Sequence, residues 1–181
     1  KKQKYTFISL MLASTVAAYA QYQMNVFSID LITAYQISAS RFAFLFTAPM
    51  LPAIFLSIPL GKLSDKIGYR NAIQLGLAFT ILGLTGRIFA ESYSTLWICM
   101  AFSGASSITL FVNSARVLEE VVPAEKSVLF MGIYTTASML AQTFATATSA
   151  VLYSTLQKAY VGALVYAVVI TVIWADRKSV V

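Results

Sequence analysis

Six long apolar runs, separated by short stretches that hold most of the charge, constrain this chain more than any other feature. They cover about 5–29, 42–60, 72–90, 95–118, 128–153 and 160–174. A membrane-crossing helix needs about 20 predominantly apolar residues. The last run is short for this, but is usable if Lys158 and Arg177 snorkel to the interfaces. Barrel strands would alternate over about ten residues, and these runs do not. Of 181 residues, 59% are hydrophobic and only 11% charged. Soluble domains run near 45–50% apolar and about 25% charged. A soluble core of this size cannot hide so much apolar surface, and disorder is excluded by the same composition. The expectation is an all-α membrane protein with six transmembrane helices.

The chain contains no His and one Cys. That removes His-ligated metal sites, a Ser-His-Asp triad and a Cys-His pair. No cofactor, metal or catalytic residue is called for. The net charge of +6 does not point to nucleic acid, because the bases sit between apolar runs and read as topology signals. With the N-terminus inside, the inner side holds Lys1, Lys2, Lys4, Lys62, Lys66, Arg70, Arg116, Lys126, Arg177 and Lys178. The outer side holds Arg41, Arg87 and Lys158. This bias predicts a multi-pass protein of a plasma or inner membrane, with both termini cytoplasmic. A competing reading takes the Lys-rich start and Ala18-Tyr19-Ala20 as a signal peptide. Apolar character resumes past Gln21, however, and a first helix completes an even count.

The stretch 61–70 reads Gly-Lys-Leu-Ser-Asp-Lys-Ile-Gly-Tyr-Arg. Gly61 lets the second helix end, and Gly68 turns the chain before the third. Asp65 can accept from amides at a helix start. Lys66 and Arg70 suit an anionic inner leaflet. On these grounds alone the stretch is a charged turn.

Gly61, Leu63, Ser64, Asp65, Lys66, Gly68 and Arg70 together resemble the signature of the major facilitator superfamily between its second and third helices. Tyr69 departs from it, where the family usually has a base. The resemblance spans the chain as six helices and corresponds to the N-terminal half of a twelve-helix member. It implies a half bundle of three-plus-three inverted repeats, with helices one and four lining a central cavity. Helices two and five flank that cavity, and three and six face outward. It implies secondary or facilitative transport of a small polar or organic solute by alternating access. The partners are then the bilayer, the small-molecule substrate and a second six-helix half, from the same parent chain or a dimer partner. Truncation of a longer carrier is the favoured explanation of the length. The gating motif extends to Arg116, which can snorkel, pair with Asp65 or face an anionic substrate.

Polar residues in a span must find partners or water. Gln21, Tyr22 and Asn25 share a face of the first run with Ser14. Asn113 and Arg116 follow Ser103, Ser106 and Thr109 in the fourth run. Tyr134, Ser138 and Gln142 are spaced by four in the fifth. The small hydroxyls read first as interhelical glue. Gln21, Tyr22, Asn25, Asn113, Tyr134, Ser138 and Gln142 are the candidate substrate-cavity residues, with glue as the standing alternative. Arg87 and Glu91, four apart, read as a surface pair of little energy. The fourth run has no base before Gly104, the fifth has no Gly-Pro, and no carboxylate lies deep in a run. Those departures weaken a drug/proton antiporter reading. A non-transporting membrane scaffold or assembly subunit is the alternative function.

Overall fold

The computed structural model describes residues 2–178, and among them are eight α-helices, two 3-10 turns and no strand. The helices are α1 (Lys2–Tyr22), α2 (Ser28–Ala34), α3 (Ala39–Thr47), α4 (Met50–Ile67), α5 (Tyr69–Ile88), α6 (Tyr93–Val121), α7 (Ser127–Leu152) and α8 (Leu156–Lys178). Lys1 lies outside the described residues, as do the side chains of Lys2, Lys4, Arg177 and Lys178.

Among the described residues, four segments are long and apolar enough to cross a membrane: Ala39–Ile67, Tyr93–Glu120, Ala124–Leu152 and Leu156–Asp176. The helices of the first and third runs, α1 and α5, fall outside that set. α1 opens on Lys2, Gln3 and Lys4, and α5 carries Arg70, Asn71, Gln74 and Arg87. α5 is also well wrapped by protein. It packs on α6, α8 and α1, and eight of its residues are buried. A helix so covered meets less lipid and has less need of apolar surface.

α1 packs on α7, α8 and α6, while α4 packs mainly on α6. The contacts are made by fully buried side chains such as Leu10, Met24, Ile73, Leu77, Leu84, Leu96 and Met100. Lipid tails are as apolar as these side chains, so what holds helix to helix here is close packing and dispersion rather than escape from water. Ile54, Phe55 and Ile58 on α4 remain exposed, as do Met139, Leu140 and Phe144 on α7.

Several boundaries differ from the sequence expectation. The first run is not one helix over 5–29: α1 ends at Tyr22, Gln23–Asn25 form a 3-10 turn, and α2 follows. The second run is two helices rather than one over 42–60, broken at Ala48 and Pro49. Pro49 and Pro52 lack amide protons, and their rings would clash with the carbonyls of Leu45 and Ala48 in an unbroken helix. Gly61 does not end the second helix. It sits inside α4, which runs to Ile67, so 61–71 is helix on both sides of Gly68 rather than a polar loop. The sixth helix gains a turn at each end of the expected 160–174 and is not short.

The break at Pro49 is matched by Gly104 on α6. A Cβ built on Gly104 would collide with the Pro49 carbonyl oxygen, so backbone meets backbone there. Gly104→Ala should destabilise the bundle by about 1–3 kcal/mol, the usual cost of overpacking. Gly132→Ala has nothing within 4 Å of the new Cβ and should gain up to about 1 kcal/mol from helix propensity. Thermal unfolding of both variants in detergent micelles checks the pair.

Candidate functional site

A cavity of about 450 Å³ opens between α1, α4, α6 and α7. α1 contributes Ser14, Ala17, Ala18, Gln21 and Tyr22, and α7 contributes Tyr134, Thr135, Ser138, Met139 and Gln142. Pro49, Met50 and Ala53 line it at the start of α4, and Gly104, Ser107, Ile108, Leu110 and Phe111 line it from α6. None of these residues comes from α5 or α8. The wall is a mixed one, with hydroxyl and amide groups set among apolar side chains and no charged residue. Such a surface can hold a small solute by shape and a few hydrogen bonds.

Five of the seven candidate cavity residues are brought together here: Gln21, Tyr22, Tyr134, Ser138 and Gln142. Asn25 is exposed in the 3-10 turn after α1, away from the cavity. Asn113 is fully buried and donates to Ser64 Oγ at 3.0 Å and to the Thr109 carbonyl at 2.7 Å. It therefore ties α6 to α4. Ser103 and Ser106 of the same stripe also bond across to α5, whereas Thr109 bonds within its own helix. Ser106 meets Thr80 at 2.6 Å, and Thr109 bonds back to the Ala105 carbonyl at 2.7 Å. α6 thus has two faces of different chemistry. The one with more polar residues, and so the one legible in the sequence, packs on protein. The other, with Ser107 between Ile108 and Phe111, meets the cavity. The apolar liners gave no signal, because they read the same as lipid-facing residues.

The motif closes one end of the bundle. Asp65 caps no helix start. It lies in the last turn of α4, where a carboxylate opposes the helix dipole, and pairs with Arg116 of α6 at 2.6 Å. Of the three options for Arg116, pairing with Asp65 is the one the structure adopts. The two side chains are 61% and 37% exposed, so the pair contributes no more than about 1 kcal/mol. Tyr69, the departure from the family pattern, donates its hydroxyl to Glu120 Oε2 at the end of α6 and accepts from Arg70 Nε at 3.2 Å. Trp174 of α8 donates to the Arg70 carbonyl at 3.3 Å. α4, α5, α6 and α8 are all held at this end. Among the described residues Gly61, Leu63 and Lys66 make no such side-chain bond; all three are helical positions within α4.

At the opposite end the expected Arg87–Glu91 surface pair does not form. Arg87 is 2% exposed, whereas Glu91 is exposed. The Arg87 guanidinium donates to the Ala20 carbonyl at 2.6 Å and to Ser103 Oγ. It also lies 5.9 Å from the centre of the Tyr160 ring. The missed signal was position: Arg87 falls inside the 72–90 run rather than in the loop after it. Nearby, Tyr35 donates to the Ala90 carbonyl at 2.6 Å. Burial, and then the neighbouring Cys99 thiol, raise its pKa above the ordinary tyrosine value.

Gly68 alone joins α4 to α5, with φ +79° and ψ 148°, a region only glycine occupies without strain. Gly68→Ala should cost about 1–3 kcal/mol. Gly61→Ala, with open space around the new Cβ, should be neutral or slightly stabilising. Equal losses of stability in a thermal melt would overturn this assignment of the corner to Gly68.

No curated protein matches the chain. Residues 10–178 match the family model described as Major Facilitator Superfamily. That match covers most of the chain, including the motif, all of α2–α8 and the cavity. This chain therefore belongs to the Major Facilitator Superfamily of membrane transporters and is an integral membrane protein.

Proposed function

We propose that this chain is one half of a carrier that moves a small polar or organic solute by alternating access. The observation that carries the reading is the open, uncharged, partly polar cavity between α1, α4, α6 and α7. A cavity with one side open needs a second wall. The exposed apolar faces of α4 and α7 flank it, and a second six-helix bundle closing the cavity would cover them too. That bundle belongs to the same polypeptide or to a second copy.

In this reading the chain crosses the membrane six times, through α1, α3 with α4, α5, α6, α7 and α8. Its helix pairing supports a three-plus-three repeat: α1 packs on α7 as α6 packs on α4, while α5 packs on α8. The Asp65 end is cytoplasmic by charge bias. Gln21, Tyr22, Tyr134, Ser138 and Gln142 contact the solute. Gly68, Asp65, Arg70 and Arg116, with Tyr69 in place of a base, form the cytoplasmic latch that gates it. Gly61, Leu63 and Lys66 lie in the motif end of α4, to which Lys66 adds positive charge. Asn25 and Asn113 have no part in solute contact.

Single cysteines on a Cys99→Ser background test the topology. A cysteine at Ala124 should react with an impermeant maleimide only from the cytoplasmic side, and one at Ser94 or Gln157 only from the other. Labelling of all three from one side would remove the six-span arrangement.

The latch has its own test. In the assembled carrier, the labelling rates of Gln142→Cys from the two sides report which way the cavity opens. Losing an ion pair worth about 1 kcal/mol shifts a two-state balance about fivefold. Asp65→Asn should therefore raise the ratio of cytoplasmic to opposite-side labelling about fivefold, with Lys62→Ala close to wild type. The reverse order would make the motif an orientation signal only.

A further inference from the structure

Behind the cavity lies a buried positive charge that the transport reading does not use. Arg87 enters from α5, and its guanidinium bridges α1 and α6 through the Ala20 carbonyl and Ser103 Oγ. Each of these residues is the immediate neighbour of a cavity liner, Gln21 on α1 and Gly104 on α6. The guanidinium is therefore bonded to both helices beside residues of the cavity wall, without itself lining the cavity. Two hydrogen bonds and the face of Tyr160 satisfy part of its donor capacity. Its Nε has no partner, and no carboxylate pairs with it among the described residues. Hydrogen bonds to neutral groups solvate a cation without neutralising it. The field of an unneutralised cation in a medium of low dielectric extends well past its own contacts. The cavity wall offers nothing to oppose that field, since no Asp or Glu lines it.

We propose that Arg87 makes this cavity select anionic solutes, small organic carboxylates or molecules of like charge, over neutral and cationic ones. The inference rests on the cavity being the solute site. The cation acts through space. It touches no solute, and is a specificity-determining residue of the wall rather than a ligand. At a separation of roughly 10 Å, about one helix width, a unit charge changes the affinity of a monovalent ligand by about tenfold.

Three probes of nearly equal shape separate charge from fit: benzoate, benzamide and benzylammonium. The full chain, carrying Gln142→Cys and Cys99→Ser, is placed in phosphatidylcholine nanodiscs. Protection of the cavity cysteine from maleimide then gives the half-protecting concentration of each probe. Benzoate should protect at about tenfold lower concentration than benzamide, and benzylammonium at about tenfold higher. Arg87→Lys should keep that order, and Arg87→Gln should bring the three within about twofold. Equal protection by benzoate and benzylammonium in the unsubstituted Arg87 background overturns the proposal without any Arg87 variant, so it remains testable if Arg87→Gln does not fold. A charge order that survives in folded Arg87→Gln overturns it too. Protection by none of the three removes the cavity as the solute site, and the charge selection with it, whereas protection without charge order removes only the selection.

Discussion

A polar group inside a bilayer has only the protein to bond to, and the bundle is organised around that requirement. α5 and α6 carry the most demanding groups. Arg87 reaches across to Ala20 and Ser103, Thr80 meets Ser106, and Asn113 meets Ser64. Each bond fixes one helix against another at a set height, which apolar packing between smooth surfaces does poorly. The α5–α6 pair is consequently the frame of the structure, and α1, α4 and α8 are attached to it. α7 rests chiefly on α1 and touches this frame little.

That division separates a rigid part from a working part. The framing bonds lie on the sides of α5 and α6 that face each other and their neighbours. The cavity lies on the other side of α6, where small and apolar residues leave room. One helix thus serves both roles by presenting two faces of different chemistry. The partly exposed Asp65–Arg116 pair lies at the motif end of α4 and α6. It is weak enough to be made and broken, unlike the buried bonds deeper in the bundle.

Much of this was legible in the chain itself. Six apolar runs and the motif were enough to give the helical class and the family, and the spacing of Tyr134, Ser138 and Gln142 placed them on one cavity-lining face. What failed has physical causes. Gly61 looked like a helix end because glycine often is one, but it lies inside α4, and of the two motif glycines it is Gly68 that takes a positive φ. Arg87 looked like a surface base because its partners, a carbonyl and a serine from two other helices, leave no trace in local sequence. Asn113 looked like a cavity residue because periodicity identifies a face without saying what that face meets. The close approach of Gly104 to the Pro49 carbonyl left no trace either, because it joins residues more than fifty positions apart.

The joint at Gly68 has a mechanical consequence. A linker of several residues stores slack and lets two helices slide past each other. A single residue between α4 and α5 stores none, so a displacement of the end of α4 is delivered undiminished to the start of α5. Through Tyr69 and the Arg70 carbonyl it passes on to Glu120 of α6 and Trp174 of α8. The motif ends of four helices are in this way geared together, so a movement begun in one is felt by the other three.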